Sequence, residues 1–336
     1  MQTPDRQELL SKLADASPER FDAPAMQVFW YQAENCALFG QYLHLLGRSP
    51  ERIASVSEIP FLPVGLFKNH HIQSGNWNPE TYFTSSSTTG QTPSRHAVRD
   101  LDFYLQNTRR GFSQFYGDPS EWCVLALLPS YLERTGSSLV AMADYFIRLS
   151  RYPQSGFFLY NFDELRHTLQ ACQDAGTKTL LLGVSHALLD FAENHPMNLS
   201  GITIMETGGM KGRRREITRQ ELHETLCNAF RVPAIHSEYG MTELFSQAYS
   251  LPINAGQTPR FIPASTLRAI AFELYDPLCP APPGRTGVLA FADLANVDTC
   301  SFIVTEDLGK VHPDGSFEVL GRLDAAELRG CNLMVE

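Results

Sequence analysis

TLLLGVSHALLDFAENHPMNLSGITIME, residues 179–206, decides how the chain is read. Its ends, TLLLGV (179–184) and ITIME (202–206), are short apolar runs, and the stretch between them, over 186–193, reads as a helix. A strand apolar on both faces has to be covered on both, and a helix joining two such strands supplies one cover. The unit therefore predicts parallel strands with crossover helices, and the pattern continues in both directions. CVLALL (123–128) and GFFLY (156–160) precede it and AIHSEYG (234–240) follows, with helices expected over 138–149, 163–175 and 218–230. Thr218 and Glu221 open the last helix in capping-box spacing. The fold class is α/β, a doubly wound, mainly parallel sheet. Ligands of such sheets sit beyond the carboxyl ends of the strands, so the loops after these runs are where a site belongs.

Working outward, residues 6–46 read as helical, with Phe29, Tyr31, Cys36, Phe39 and Leu43 recurring near every third or fourth position until Gly47 and Pro50 stop the pattern. IPFLPVGLFK (59–68) sets two prolines among large apolar residues and suits an extended crossover. The adjacent His70 and His71 point differently in any regular structure and lack a third ligand nearby, so surface or packing roles fit them better than metal binding. A helix is expected over 98–116. From about Ala269 the rhythm changes to AIAFELYD, GVLAFADL, SFIVTED and SFEVLGR, separated by Pro280, Pro282, Pro283, Gly284, Gly309, Pro313 and Gly315. That is a smaller, strand-rich and mainly antiparallel part.

A chain of 336 residues with 43% hydrophobic and 11% aromatic content can bury a large core, so it folds. A net charge of -10 argues against general nucleic-acid binding, because phosphate backbones repel such a surface. The opening MQTPDRQELLSKLAD has no apolar core of a signal peptide. No run approaches the roughly 18 apolar residues of a membrane span. Seven cysteines, an odd number with no CxxC pair, suit reduced thiols in a cytoplasm.

Four clusters fall on expected loops or strand ends. SSSTTGQTPS (85–94) sets seven hydroxyl side chains around Gly90, donors that can surround a polyphosphate without adding charge; a flexible linker is the plain alternative. ETGGMKGRRREIT (206–218) pairs Gly208 and Gly209, which allow a flat ligand close to the backbone, with Lys211, Arg213, Arg214 and Arg215. A tight turn before a basic helix lead-in reads equally well. In HSEYGMTELFSQ (236–247), Tyr239 can stack on a base, Thr242 can donate to a phosphate and Glu243 can hold a hard cation such as Mg2+, or simply favour a helix dipole. TED (305–307) and GRLD (321–324) offer Asp307 for ribose hydroxyls and Arg322 for ribose or phosphate; each alone also reads as a turn with a surface ion pair.

Hydroxyl loop, YGMTE, TED and GRLD, in that order, resemble the acyl-adenylate-forming (ANL) superfamily. IPFLPVGLFK, LLPSYLERTGSSLV, ETGGMKGRRREITRQELHE, SEYGMTELFSQAYS and GRLDAAELRGCNLM resemble its acyl-protein synthetase (LuxE-type) family. The resemblance implies an acyl-adenylate-forming domain over 1–320, comprising a helical part (1–50), a parallel α/β part (about 51–265) and a strand-rich part (about 266–320), with a hinge motif and tail over 321–336. It implies ATP and Mg2+ as cofactors and a carboxylic acid, typically a fatty acid, as substrate. The acid is first converted to acyl-AMP and then passed to a thiol for delivery to an acyl-accepting or reductase partner protein.

By the same resemblance, Ser86, Thr88, Thr89 and Gly90 match the phosphate loop, Gly208 and Gly209 the adenine-side segment, and Tyr239 the adenine-stacking aromatic. Thr242 and Glu243 match the phosphate and magnesium ligands, Asp307 the ribose contact and Arg322 the hinge arginine. Cys331 matches the acyl-accepting cysteine. This chain departs from the superfamily pattern at Ser87, where glycine is common, at Thr92, which lengthens the loop before Pro93, and at Ser94, which replaces a frequent lysine. It also ends soon after Asp324, so the mobile C-terminal domain of acyl-CoA synthetases is expected to be absent. An acyl- or aryl-CoA ligase of the phenylacetate-CoA ligase type, or a catalytically silent scaffold of the same fold, remain the alternatives.

Overall fold

The computed structural model describes residues 5–13, 16–85, 92–129, 136–159, 161–208, 217–251 and 259–323. In chain order the regular elements begin with α1 (Arg6–Leu13), α2 (Asp22–Asn35), α3 (Ala37–Leu45), β1 (Leu62–Pro63), α4 (Leu66–Asn69), β2 (Thr81–Thr84), β3 (Arg95–Val98) and α5 (Leu101–Tyr116). Next come β4 (Cys123–Leu127), α6 (Ser138–Leu149), β5 (Gly156–Phe157), α7 (Phe162–Asp174), β6 (Thr179–Val184), α8 (Ser185–Asn194), β7 (Ile202–Thr207), α9 (Arg219–Phe230) and β8 (His236–Tyr239). The last are β9 (Ala248–Ser250), β10 (Phe261–Pro263), β11 (Leu267–Phe272), β12 (Thr286–Asp293), β13 (Phe302–Val311) and β14 (Phe317–Arg322).

The expected parallel set is present, in the order β5-β4-β6-β7-β8, with every neighbouring pair parallel. Every residue of β4 and β6 is buried, as strands covered on both faces must be. Helix α8 packs so closely on β6 that a Cβ at Gly183 would lie 2.7 Å from the Leu188 side chain. Thr218 and Glu221 form the expected capping box at the start of α9.

The strand-rich part is antiparallel as expected, but it is not a separate sheet. β9 and β10 continue the parallel set, and β14, β13, β12 and β11 follow in one sheet, with β1 pairing parallel to the first half of β13. The helical N-terminal part packs on this side. Arg6 holds Asp298 through two bonds of 2.6 and 2.7 Å. The Gln32 carboxamide donates to the Asn296 carbonyl and accepts from the Ser301 amide, both at 2.8 Å. Phe29 and Phe39 pack on Phe302 in one core, while Phe112, Phe146 and Leu181 belong to the other.

The helix expected over 98–116 starts at Leu101. Asp100 caps it by accepting from the Phe103 amide at 2.9 Å, and residues before the cap pair with β2 in a hairpin outside the main sheet. The long N-terminal helical pattern is interrupted at Cys36, whose backbone is extended. His70 and His71 are exposed. Among the described residues no helix is long and apolar enough to cross a membrane.

Candidate active site

The segment 240–247 links β8, the last parallel strand, to β9, the first antiparallel one, so it lies at the carboxyl end of the parallel set. It has no ladder of its own, and side chains from distant elements satisfy its backbone instead. His96 donates from Nδ1 to the Thr242 carbonyl at 2.8 Å, while its Nε2 accepts from the Thr299 hydroxyl at 2.9 Å. A carbonyl can only accept, so Nδ1 carries a proton, and burial favours the neutral ring in which Nε2 is the acceptor. Burial pushes His96 down to about 4, against the Thr242 bond.

Asn296 donates to the Glu243 carbonyl at 2.7 Å, and Asn107 to the Phe245 carbonyl at 3.0 Å. The fully buried Asp293 accepts from the Phe245 and Ser246 amides at 2.7 and 2.9 Å, from the Ser246 hydroxyl at 2.6 Å and from the Ala295 amide at 3.0 Å. This segment is therefore fixed from several sides, and with it the side chains of Thr242 and Glu243.

Glu243 is 5% exposed. Burial pushes its carboxyl up; a hydrogen bond from Ser94 and the charge of Lys68 oppose this, and the charge of Glu306 adds to it. Asp307, half-buried on β13, accepts a 2.8 Å hydrogen bond from the Tyr239 hydroxyl. Burial raises Asp307 as well, against Tyr239 and the charges of Arg322 and Arg219. Arg322 lies opposite Asp307 in the β13–β14 register and donates to Glu306. The Tyr239 ring is enclosed by Phe261, Phe291 and Phe317 at centroid distances of 5.2–5.6 Å. As placed, its hydroxyl and not its ring connects it to the site.

Gly208, Thr242, Glu243, Asp307 and Arg322 line one cavity of about 370 Å³. Of the hydroxyl loop, Ser85, Thr92 and Ser94 line the same cavity, and Ser85 and Ser94 tie its ends together through bonds of 3.1 and 2.9 Å. Gly208, at φ +70°, accepts from the Ser185 hydroxyl at 2.7 Å. Ser86, Ser87, Thr88, Thr89, Gly90, Gly209, the basic run Lys211 and Arg213–Arg215, and Cys331 lie outside the described residues.

Three charged cavity residues have no role in the motif reading: Lys68, Glu238 and Glu306. Lys68 ends the IPFLPVGLFK string, where the two prolines draw the eye; the chain turns into α4 there and delivers the lysine. Glu238 and Glu306 each sit beside a recognised residue, one place before Tyr239 and Asp307.

No family model matches the chain. No curated protein matches it either. Solved structures do. MatB from Rhodopseudomonas palustris with ATP bound superposes at TM-score 0.53 and 17% identity over 72% of this chain and 47% of its own. 2-Hydroxyisobutyryl-CoA ligase, in the postadenylation state with 2-HIB-AMP, superposes at TM-score 0.64 and 11% identity over 94% of this chain and 70% of its own. The same ligase with 2-HIB-AMP and CoA, in its thioesterification state, gives 0.62 and 13% over 95% and 69%.

The chain has the fold of the adenylate-forming ligases. It spans about half the length of MatB. The cavity is lined from the carboxyl ends of β6, β7 and β8, at Val184, Thr207 and Glu238, and from β13 and β14, the position expected of a ligand site in an open α/β sheet.

Proposed function

We propose that this protein is an acyl-adenylate-forming ligase. A carboxylate oxygen attacks the α-phosphorus of ATP, the bond to the β-phosphate oxygen breaks, and pyrophosphate leaves with the electron pair. A thiol then attacks the acyl carbon, its proton passes to solvent, and AMP departs. The observation that carries this reading is the convergence of Thr242, Glu243, Asp307 and Arg322 with the ends of the hydroxyl loop on one cavity.

The residues divide the work by charge. Asp307, held by Tyr239, is an acceptor for ribose hydroxyls, and Arg322 and Lys68 bring positive charge to the same cavity. The hydroxyls of Ser85, Thr92 and Ser94 are neutral donors at the mouth of the loop whose centre, Ser86 to Gly90, is proposed to hold the β- and γ-phosphates. Gly208 and Gly209 border the adenine side. Glu243, with Thr242 beside it, suits Mg2+: its buried carboxyl is pushed up by burial, and a cation reverses that penalty. Bound there, Mg2+ supplies charge neutralisation for the phosphates. No general base is required, since the attacking carboxylate is already ionised near neutrality.

The finer reading is an acyl-protein synthetase, in which Cys331 takes the acyl group as a thioester and a partner protein receives it. The order of motifs along the chain supports it. The apolar wall of the cavity, with Leu128, Val140 and Met142, suits the alkyl chain of the acid. Coenzyme A as acceptor is the second reading, favoured by the likeness to a ligase solved with CoA.

Exchange of labelled pyrophosphate into ATP, dependent on a carboxylic acid, tests the first step; its absence with every acid overturns it. Protein-bound acyl label that hydroxylamine releases, and that Cys331→Ser abolishes, tests the second. Label persisting in Cys331→Ser removes the role of that thiol.

A further inference from the structure

β13 breaks its regular pairing where it meets the cavity. Val304 pairs with Ala290 of β12 and Leu308 with Val288, so residues 305–307 stand opposite Leu289 alone. On its other edge β13 changes partner at the same place, from β1 at Val304 to β14 at Asp307. A regular strand sends successive side chains to opposite faces, which would turn Glu306 away from the side that Asp307 takes. The bulge removes that alternation, and Glu306 and Asp307 both line the cavity. Thr305 stitches the irregular stretch: its buried hydroxyl donates to the Leu289 carbonyl at 2.7 Å and accepts from the Asp307 amide at 3.0 Å.

Arg322 therefore has two carboxylates within its strand pair to choose between. It is the register partner of Asp307, and opposite charges directly across a ladder attract each other. Instead its Nη2 donates to Glu306 Oε2, while Asp307 Oδ2 accepts from Tyr239 at 2.8 Å. Glu306 Oε1 lies on the side of Gly65, 4.0 Å from where a Cβ at that glycine would stand, at the turn into α4. With side chains 57% and 43% exposed, the Arg322–Glu306 pair adds little to stability. What it decides is occupancy. A guanidinium seated on Asp307 as a two-pronged fork takes up both carboxylate oxygens, and those are the acceptors that a pair of ribose hydroxyls needs.

We propose that Glu306 is a positioning residue: it holds Arg322 off Asp307 and so keeps the Asp307 carboxylate open to the ribose hydroxyls of the nucleotide. This rests on the adenylation reading above, in which Asp307 receives the ribose, and deepens it. Without Glu306, Arg322 turns to its register partner, and the ribose then has to displace it.

Dissociation constants of ATP and 2′,3′-dideoxyATP are measured by calorimetry on the full chain with Mg2+ present. The two nucleotides differ only in the ribose hydroxyls, and they carry the same phosphates, so any repulsion between Glu306 and phosphate cancels in their ratio. The unaltered protein should bind ATP at least about tenfold more tightly, because hydrogen bonds to an ionised acceptor are the strong ones. In Glu306→Ala that preference should fall to about threefold or less. Adding Arg322→Gln to Glu306→Ala should restore it, even though ATP itself binds more weakly for the loss of a cation. General damage to the cavity would not be repaired by a second substitution.

A preference unchanged in Glu306→Ala, or lost there and not recovered in the double variant, overturns the proposal. Equal binding of the two nucleotides by the unaltered protein also overturns it, and leaves adenylation to be judged by pyrophosphate exchange. Absence of binding by either nucleotide fails the adenylation reading instead. A crystal structure of Glu306→Ala then decides the positioning role: Arg322 seated on the Asp307 carboxylate supports it, and Arg322 held elsewhere overturns it.

Discussion

Asp307 and Arg322 stand directly opposite each other in the β13–β14 ladder, yet Arg322 donates to Glu306 while Asp307 takes its hydrogen bond from Tyr239. The acidic member of the pair is thus oriented from the far side of the cavity wall, by the strand that precedes the anchored segment. Tyr239→Phe keeps the ring among Phe261, Phe291 and Phe317 and removes only the hydroxyl. Stability should change by about 1 kcal/mol or less, with a several-fold rise in KM for ATP. Asp307→Ala should raise that KM by roughly 100-fold, about 3 kcal/mol. Pyrophosphate exchange against ATP concentration separates the two.

Asp293 collects the amides of Phe245, Ser246 and Ala295 in a fully buried position. Asp293→Ala leaves buried donors unpaired and should destabilise the protein by about 3–5 kcal/mol, measured by urea unfolding. A smaller loss, within about 1 kcal/mol, would mean that the segment 240–247 does not depend on this anchor.

Two histidines resist protonation in the folded state, His96 and His236, both pushed down to about 4, chiefly by burial. As pH falls below the ordinary value of 6.5 the unfolded chain gains protons that the folded chain refuses. Their contribution to stability is therefore complete above 6.5 and is lost progressively as pH falls from 6.5 towards 4. For fully buried His96 this amounts to about 3 kcal/mol at most. His96→Asn should lower stability at pH 7 and flatten the acid limb, followed by denaturant midpoint against pH.

Gly240→Ala puts a methyl group against the flexible end of Glu238. The carboxyl can swing aside, so the melting temperature should fall only slightly. The KM for the carboxylic acid should rise about tenfold or more while that for ATP stays nearly constant. Equal changes in both would show that the glycine serves the whole segment and not the acid end.

The parallel core was readable because TLLLGV and CVLAL carry no polar face, and only a doubly covered strand satisfies that pattern. The capping box at Thr218 was readable because it is local. The hairpin of β2 and β3 was missed, since Arg95–Val98 runs into the helical periodicity of α5 and only Asp100 marks the boundary. The union of the N-terminal helices with the strand-rich half has no local signature. Thr242, Glu243, Asp307 and Arg322 were legible as motif residues, but their supports were not. His96 lies 146 positions from Thr242, and Asn296 lies 53 from Glu243. Glu238 went unnoticed for a related reason: that it lines the cavity, while Glu206 beside it faces the other way toward Arg219 and His223, is a property of strand register.

The bond between Arg6 and Asp298 spans 292 positions, and those of Gln32 span 264 to 269. Such sequence-distant closure makes for slow folding, because the loop entropy is lost before the contacts repay it. On the ribosome, α1 to α3 emerge well before β13, the strand whose Phe302 packs on Phe29 and Phe39. During synthesis their apolar faces stay open until that strand arrives, so these three helices are a segment a chaperone would cover in the meantime.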